Sequence, residues 1–198
     1  MSIVILVSGG LDSSLMMLMA AKEGIDLYPL FIDYGQINHK REWRACQHVH
    51  RAHGLPDPVC VKIPGWGKSF SSGLTDASKD VMIDAFLPNR NLLFLLVGSA
   101  HAYQVNADAV AIGLLNDSTH LFPDQTRNFL TEAEALLSHS LGREIRVIAP
   151  LMDFTKADVV ASAERRGLTG TYSCHAGGQV PCGQCIACRE FDFKKEDE

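Results

Sequence analysis

The segment that most restricts this chain is Ser8-Gly9-Gly10-Leu11-Asp12-Ser13, which joins an apolar run to a helix-forming stretch. Residues 3–7 (Ile-Val-Ile-Leu-Val) are continuously apolar and rich in β-branched side chains, the pattern of a strand covered on both faces. Residues 12–22 place Leu, Met and Ala at helical spacing, and Gly24 follows as a stop signal. Two successive glycines let the backbone turn sharply and approach a ligand without Cβ contact. The helix that follows offers unpaired N–H groups and the positive end of its dipole. The Ser8, Ser13 and Ser14 hydroxyls can add donors. Phosphate is the group this arrangement suits; a Gly-Gly turn capped by Asp12 or Ser13, with no ligand, is the plain alternative. Two commoner phosphate motifs are excluded. No G-x-G-x-x-G follows the first strand, and Gly67-Lys68-Ser69 imitates the end of a Walker A loop with Lys62 where that motif needs glycine.

The rest of the chain alternates in the same way. Strands are expected at 27–32, 59–63, 109–112 and 146–148, and helices at 39–53, 89–106, 126–139 and 155–166, with Thr155 as a cap and Asp158 in the first turn. Residues 64–88 are irregular, either a loop near a site or plain surface. This order predicts an α/β fold: a parallel sheet with helices on both faces and a ligand site beyond the carboxyl ends of the strands. Residues 1–166 are expected to form the nucleotide-binding α/β domain and 167–193 a small C-terminal zinc-binding segment packed on it, with 194–198 a disordered tail.

The formal net charge of −5 argues against a general phosphate-backbone binder, so no stable nucleic-acid binding is expected. No secretory signal is visible, and the longest apolar run, 92–100, falls well short of a bilayer span. The reading is therefore cytoplasmic, with reduced thiols and no membrane. In that setting Cys174, Cys182, Cys185 and Cys188, spaced C-x7-C-x2-C-x2-C, fit a closed tetrahedral Zn²⁺ site, with Gly177, Gly178 and Gly183 permitting the tight turns. A [4Fe–4S] cluster, disulfides, or His175 in place of one cysteine are the alternatives. Cys46 and Cys60 stand outside any motif and read as packed small hydrophobes.

The loop resembles the S-G-G-x-D-S signature of the PP-loop ATP pyrophosphatases. Together with the cysteine cluster, the chain is similar to the 7-cyano-7-deazaguanine synthase family. Asp33-Tyr34-Gly35-Gln36, Pro88-Asn89-Arg90-Asn91-Leu92, Pro123-Asp124, and Pro150-Leu151-Met152 with Lys156-Ala157 follow that family's elements in order. The resemblance implies an adenine-nucleotide alpha hydrolase-like fold and a homodimer. It also implies a ligase using ATP with Mg²⁺, and Zn²⁺ at the cysteines. Such an enzyme adenylates the carboxylate of 7-carboxy-7-deazaguanine and uses ammonia to form the nitrile.

On this resemblance Ser8, Gly9, Gly10, Leu11, Asp12 and Ser13 cradle the pyrophosphate, and Tyr34 and Gly35 face the nucleotide through their backbone. Lys156, Asp12 and Arg90 carry the chemistry, while Asn91 and Asp124 bind ligand. The bland counterparts are a solvated Lys156, a surface ion pair for Arg90, a packed Tyr34, and Asp124 as N-cap of the helix that follows it. The sequence departs from the family at Ile37-Asn38-His39, at His120-Leu121-Phe122 and at Tyr172-Ser173-Cys174-His175-Ala176-Gly177. A relative that adenylates this or another carboxylate and couples it to a different amine, one on a protein included, is therefore the second reading. A non-catalytic zinc-bearing nucleic-acid module is the third.

Overall fold

The computed structural model describes residues 1–116 and 121–191. His120 and the expected tail at 194–198 lie outside the described residues. Five strands form one parallel sheet: β1 (Ser2–Leu6), β2 (Asp26–Asp33), β3 (Val59–Lys62), β4 (Ala109–Ala111) and β5 (Arg146–Ile148), in the order β3-β2-β1-β4-β5. The helices are α1 (Leu11–Lys22), α2 (His39–Ala52), α3 (Gly65–Ser69), α4 (Arg90–Gln104), α5 (Arg127–Leu141), α6 (Lys156–Arg165) and α7 (Ile186–Arg189). Among the described residues no helix is long and apolar enough to cross a membrane.

The continuous apolar strands are explained by helices on both faces of the sheet. Side chains alternate across a strand, so Ile3, Ile5, Val7, Phe31, Ala109 and Ala111 enter one core, with α1 and α6. Val4, Leu6, Leu30, Ile32, Val110 and Ile112 enter the other, with α4 and α5. α1 shows no single apolar stripe; Leu11, Leu15, Met16, Met17 and Leu18 are all buried. Small residues set the layer spacing on the other side: a Cβ at Gly98 of α4 would meet Val110 Cγ1 at 2.8 Å, so only glycine lets α4 lie this close to β4.

Boundaries follow caps. Thr155 caps α6 through Asp158 N–H, and the Asp158 carboxylate accepts back from Thr155 N–H at 2.9 Å. Thr126, and not Asp124, caps α5, accepting from Phe129 N–H at 3.2 Å. Asp124 lies in the 3-10 turn Pro123–Gln125 and serves a different helix: its carboxylate accepts from Asn91 N–H at 3.2 Å, in the first turn of α4. Residues 64–88 contain α3 and then a series of turns. Gly67 N–H donates to the Tyr34 carbonyl at 2.9 Å, which fastens α3 to the end of β2.

Candidate active site

β1 is the strand from which the order runs outward in both directions, to β2 on one side and β4 on the other. A crevice opens beyond the carboxyl ends of strands at such a switch point. Here it is a cavity of about 790 Å³, walled by the ends of β1, β2 and β4, the first turns of α1, α2 and α4, part of the 64–88 segment, and the C-terminal segment. That volume lies within the usual range for ligand sites.

The phosphate loop is built by its own hydroxyls. Ser8 N–H donates to Ser13 Oγ at 3.1 Å, the two hydroxyls lie 3.1 Å apart, and Gly10 N–H donates to Ser8 Oγ at 3.2 Å. Gly10 is the N-cap of α1 and supplies no capping side chain, so the helix start faces the cavity in the manner of an anion site. The two glycines have different causes. Gly9 has φ +78, and a Cβ there would meet the Glu42 carbonyl at 2.4 Å and Cys46 N at 2.6 Å. Gly9 thus serves the packing of the loop on α2 and does not line the cavity, whereas Gly10 does.

Lys156 opens α6 and reaches across to the loop. Its ammonium donates to both Asp12 oxygens at 2.8 and 2.9 Å and lies 2.8 Å from Glu190 Oε2. The side chain is only 10% exposed. Burial pulls its pKa down, but the Asp12 and Glu190 carboxylates together hold it above the ordinary lysine value. Lys156 therefore stays a cation beside the phosphate loop.

Of the other residues singled out from sequence, Ser8, Ser13, Tyr34, Arg90 and Asn91 line the cavity, while Leu11, Gly35 and Asp124 do not. Tyr34 contributes its side chain; its N–H donates to Gln36 Oε1 at 3.0 Å and its carbonyl is taken by Gly67. Gly35 N–H donates to Asp33 Oδ1 at 3.1 Å, so the backbone here is already engaged within the protein. Asn91 is held by the Asp124 carbonyl at 2.9 Å. Arg90 sits beside Tyr34 and stacks over Phe94, 5.9 Å from the ring centre.

Among the cavity residues to which the sequence reading gave no role are Gln36 as a side chain, Asn38 as a donor, Glu42 and Glu190. Glu42 accepts from Gln36 Nε2 and Asn38 Nδ2, each at 3.0 Å. Burial drives its pKa from 4.5 up to about 7, against the hydrogen bonds from Gln36 and Asn38 and the charges of Arg90 and His39. Between those two values the folded protein keeps a proton that the unfolded chain has released, so stability falls as pH rises through that window. Glu42→Gln is expected to flatten this slope in denaturant titrations run at about pH 5 and about pH 7.5. Equal slopes in variant and parent would remove the buried-carboxylate assignment.

The four clustered cysteines converge: their sulfurs all lie within 4.8 Å of one another, and Cys182 and Cys188 Sγ are 3.9 Å apart. Bonds of about 2.3 Å from a central Zn²⁺ give tetrahedral edges of about 3.8 Å, so the donor set fits one such ion. It is too tight for a four-iron cluster, and all six cysteines are free thiols. Backbone N–H groups of Cys182 and Cys185 donate to Cys174 and Cys182 sulfur, each at 3.3 Å, as thiolate ligands require. His175 is not part of this set; it lines the cavity, with its Nδ1 buried and without a partner. Cys46 lies in the core with its thiol pushed up to about 12 by burial, then by Glu42 and Cys60.

The cysteine segment also closes the site. Tyr172 N–H donates to the Gly9 carbonyl at 2.9 Å, Leu11 N–H to Ser173 Oγ at 3.4 Å, and Asn38 Nδ2 to the Cys174 carbonyl at 3.0 Å. With Glu190 on Lys156, the cysteine tetrad and the Ser8–Ser13 loop form one contiguous structure.

Two solved structures share this fold. NMN synthetase from Francisella tularensis superposes with a TM-score of 0.58 at 16% identity, covering 98% of this chain and 76% of that one. A predicted subunit of tRNA methyltransferase from Methanocaldococcus jannaschii gives 0.56 at 16%, covering 86% and 90%. At that identity they establish a shared fold and nothing finer. Sequence relatives are nearer. The 7-cyano-7-deazaguanine synthase 2 of Desulfitobacterium hafniense (strain Y51) is 34% identical over 200 residues, 93% of this chain and 84% of that protein. The 7-cyano-7-deazaguanine synthase of Prochlorococcus marinus (strain MIT 9515) is 32% identical over 206 residues, 95% of this chain and 90% of that protein. The family model described as queuosine biosynthesis protein QueC matches residues 2–194. A match of that extent, in a chain whose switch-point cavity is walled by the Ser8–Ser13 loop and by residues flanking the cysteines, means that the chain belongs to the QueC family of queuosine biosynthesis proteins.

Proposed function

We propose that this protein is an ATP-dependent carbon–nitrogen ligase that converts 7-carboxy-7-deazaguanine and ammonia to 7-cyano-7-deazaguanine, a queuosine precursor. The observation that carries the reading is the start of α1, open to the cavity beside a buried Lys156 cation, in a chain whose relatives are named for that nitrile.

In this reading the β,γ-phosphates of ATP rest on Ser8, Gly10, Ser13 and the first N–H groups of α1, and Lys156 neutralises their charge. The substrate carboxylate attacks the α-phosphorus, pyrophosphate leaves, and an acyl adenylate forms. Ammonia displaces AMP to give the amide. A second ATP adenylates the amide oxygen, and loss of a proton and AMP leaves the nitrile. Mg²⁺ bound with ATP shields phosphate charge, and Asp12 is the carboxylate placed to hold it. Arg90, at the mouth of α4, suits the incoming carboxylate. Zn²⁺ on the four cysteines has no open position and serves to hold the C-terminal segment on the loop. The protein works in the cytoplasm as a homodimer in this reading.

Purified protein supplied with ATP, Mg²⁺, the deazapurine acid and ammonium is expected to release pyrophosphate and yield the nitrile by mass spectrometry. No pyrophosphate above background with the acid would end this reading. Asn38 and His39 stand where the family sequence differs, and Asn38 is built into the cavity wall. This favours one second reading, transfer of the adenylate to another amine, which the same spectra would reveal as an amide adduct.

A further inference from the structure

The cavity contains a carboxylate that the proposed chemistry leaves unused. Glu42 lies in the first turn of α2, and both of its oxygens are oriented from behind. Gln36 Nε2 donates to Oε2 and Asn38 Nδ2 to Oε1, each at 3.0 Å. These amides are themselves fixed. Gln36 accepts from Tyr34 N–H at 3.0 Å and donates to the Ile32 carbonyl at 3.2 Å. Asn38 donates to the Cys174 carbonyl at 3.0 Å. Gln36 and Asn38 are 3% and 4% exposed, so neither can swing away without leaving a buried amide unpaired.

Donors brought by a ligand favour the ionised form of Glu42, and an ionised carboxylate accepts at about four lone-pair sites. The two amides use one site on each oxygen, so each oxygen of this cavity-lining carboxylate has a further lone pair to offer a donor. The cavity that Glu42 enters also has apolar walls, among them Leu6, Leu30, Ile32 and the rings of Tyr34 and Phe94, with the Arg90 guanidinium beside them. Two rigid acceptors side by side above such walls match a planar heterocycle that presents two adjacent N–H donors on one edge. A ring N–H next to an exocyclic amino group has this geometry, as a guanidinium does toward a carboxylate. Adenine does not: its amino group neighbours a ring nitrogen whose lone pair would face the carboxylate.

Resting on the function proposed above, we infer that Glu42, oriented by Gln36 and Asn38, is the specificity residue that accepts the N–H and amino donors of the 2-amino-pyrimidinone edge of the acid substrate. It thereby distinguishes the two purine-like rings that must share this cavity, because adenine lacks the paired donors. A site built to pair buried polar groups rejects a partner lacking one of them far more strongly than an apolar pocket rejects a missing methylene.

The test compares the deazapurine acid with its analogue lacking the exocyclic amino group, in the full-length protein and in Glu42→Gln. In the parent, kcat/KM for the analogue is expected to fall about 100-fold. In Glu42→Gln, KM for the acid is expected to rise about 100-fold while KM for ATP stays within about 3-fold, and the analogue loses less than about 5-fold relative to the acid. A parent that treats acid and analogue alike, or an equal analogue penalty in both proteins, overturns the inference. Calorimetric binding of acid and analogue to the parent protein keeps the test independent of the variant's folding and of turnover. If pyrophosphate is never released, the parent reading fails alone, and Glu42 is still judged by those titrations. Tighter binding of the acid by about 100-fold supports it, and equal or absent binding of the acid overturns it.

Discussion

Asp12→Ala is expected to lower turnover by about 100- to 1000-fold while the protein stays folded. The two halves of that expectation have separate causes. Asp12 is the carboxylate of the phosphate loop, and it holds the Lys156 ammonium at 2.8 and 2.9 Å. Without it Lys156 loses its bidentate acceptor at the loop, and in the proposed reaction the triphosphate would lose the carboxylate assigned to its counter-ion. The fold is spared because Lys156 keeps a second carboxylate, Glu190, at 2.8 Å. A buried cation stripped of every partner costs several kcal/mol, but this one retains a partner. The thermal midpoint is therefore expected to move by no more than a few degrees. Pyrophosphate release and thermal unfolding on the same preparation check both halves. Near-normal turnover would remove Asp12 from the machinery, and collapse of the fold would show that Glu190 does not suffice.

Cys185→Ser is expected to abolish stoichiometric metal binding and to release the C-terminal segment from the phosphate loop. Cys185 is fully buried at the centre of a small cluster with Cys174 and Ala187. That cluster has few apolar neighbours of its own, so an ion bound there would supply most of what holds it together. Bound Zn²⁺, measured by plasma mass spectrometry, should fall from about one per chain to below about 0.1. Turnover should fall with it, because Tyr172, Ser173 and Glu190 reach the loop only from a segment held in place. Limited proteolysis should then cut after residue 170, where the parent resists. Unchanged metal content would overturn the four-thiolate cage. Loss of metal with full activity would separate the cage from the site.

Much of this architecture was legible before any coordinates. The expected strands and helices coincide with those observed to within a few residues, because apolar runs, helical periodicity, Gly24 and Thr155 are local signals. Lys156 and Asp12 were singled out through family resemblance, but their contact spans a separation of 144 residues that no spacing encodes. Gly9 shows how a correct motif can hide its cause: it reads as ligand clearance, yet its missing Cβ makes room for α2. Asp124 shows the reverse. Its position before a helix suggests a cap there, but the fold brings α4 to it first.

Sequence by itself determined the Gly-Gly loop between strand and helix, the parallel α/β class and four cysteines spaced to hold a metal, because each is written in residues adjacent or periodic along the chain. The tertiary structure alone decided the strand order that opens the cavity beside β1. It also decided the pairing of Lys156 with Glu190 and the seating of Glu42 between Gln36 and Asn38. Those depend on which surfaces meet after the sheet is layered, a matter of packing between distant segments that local pattern does not record.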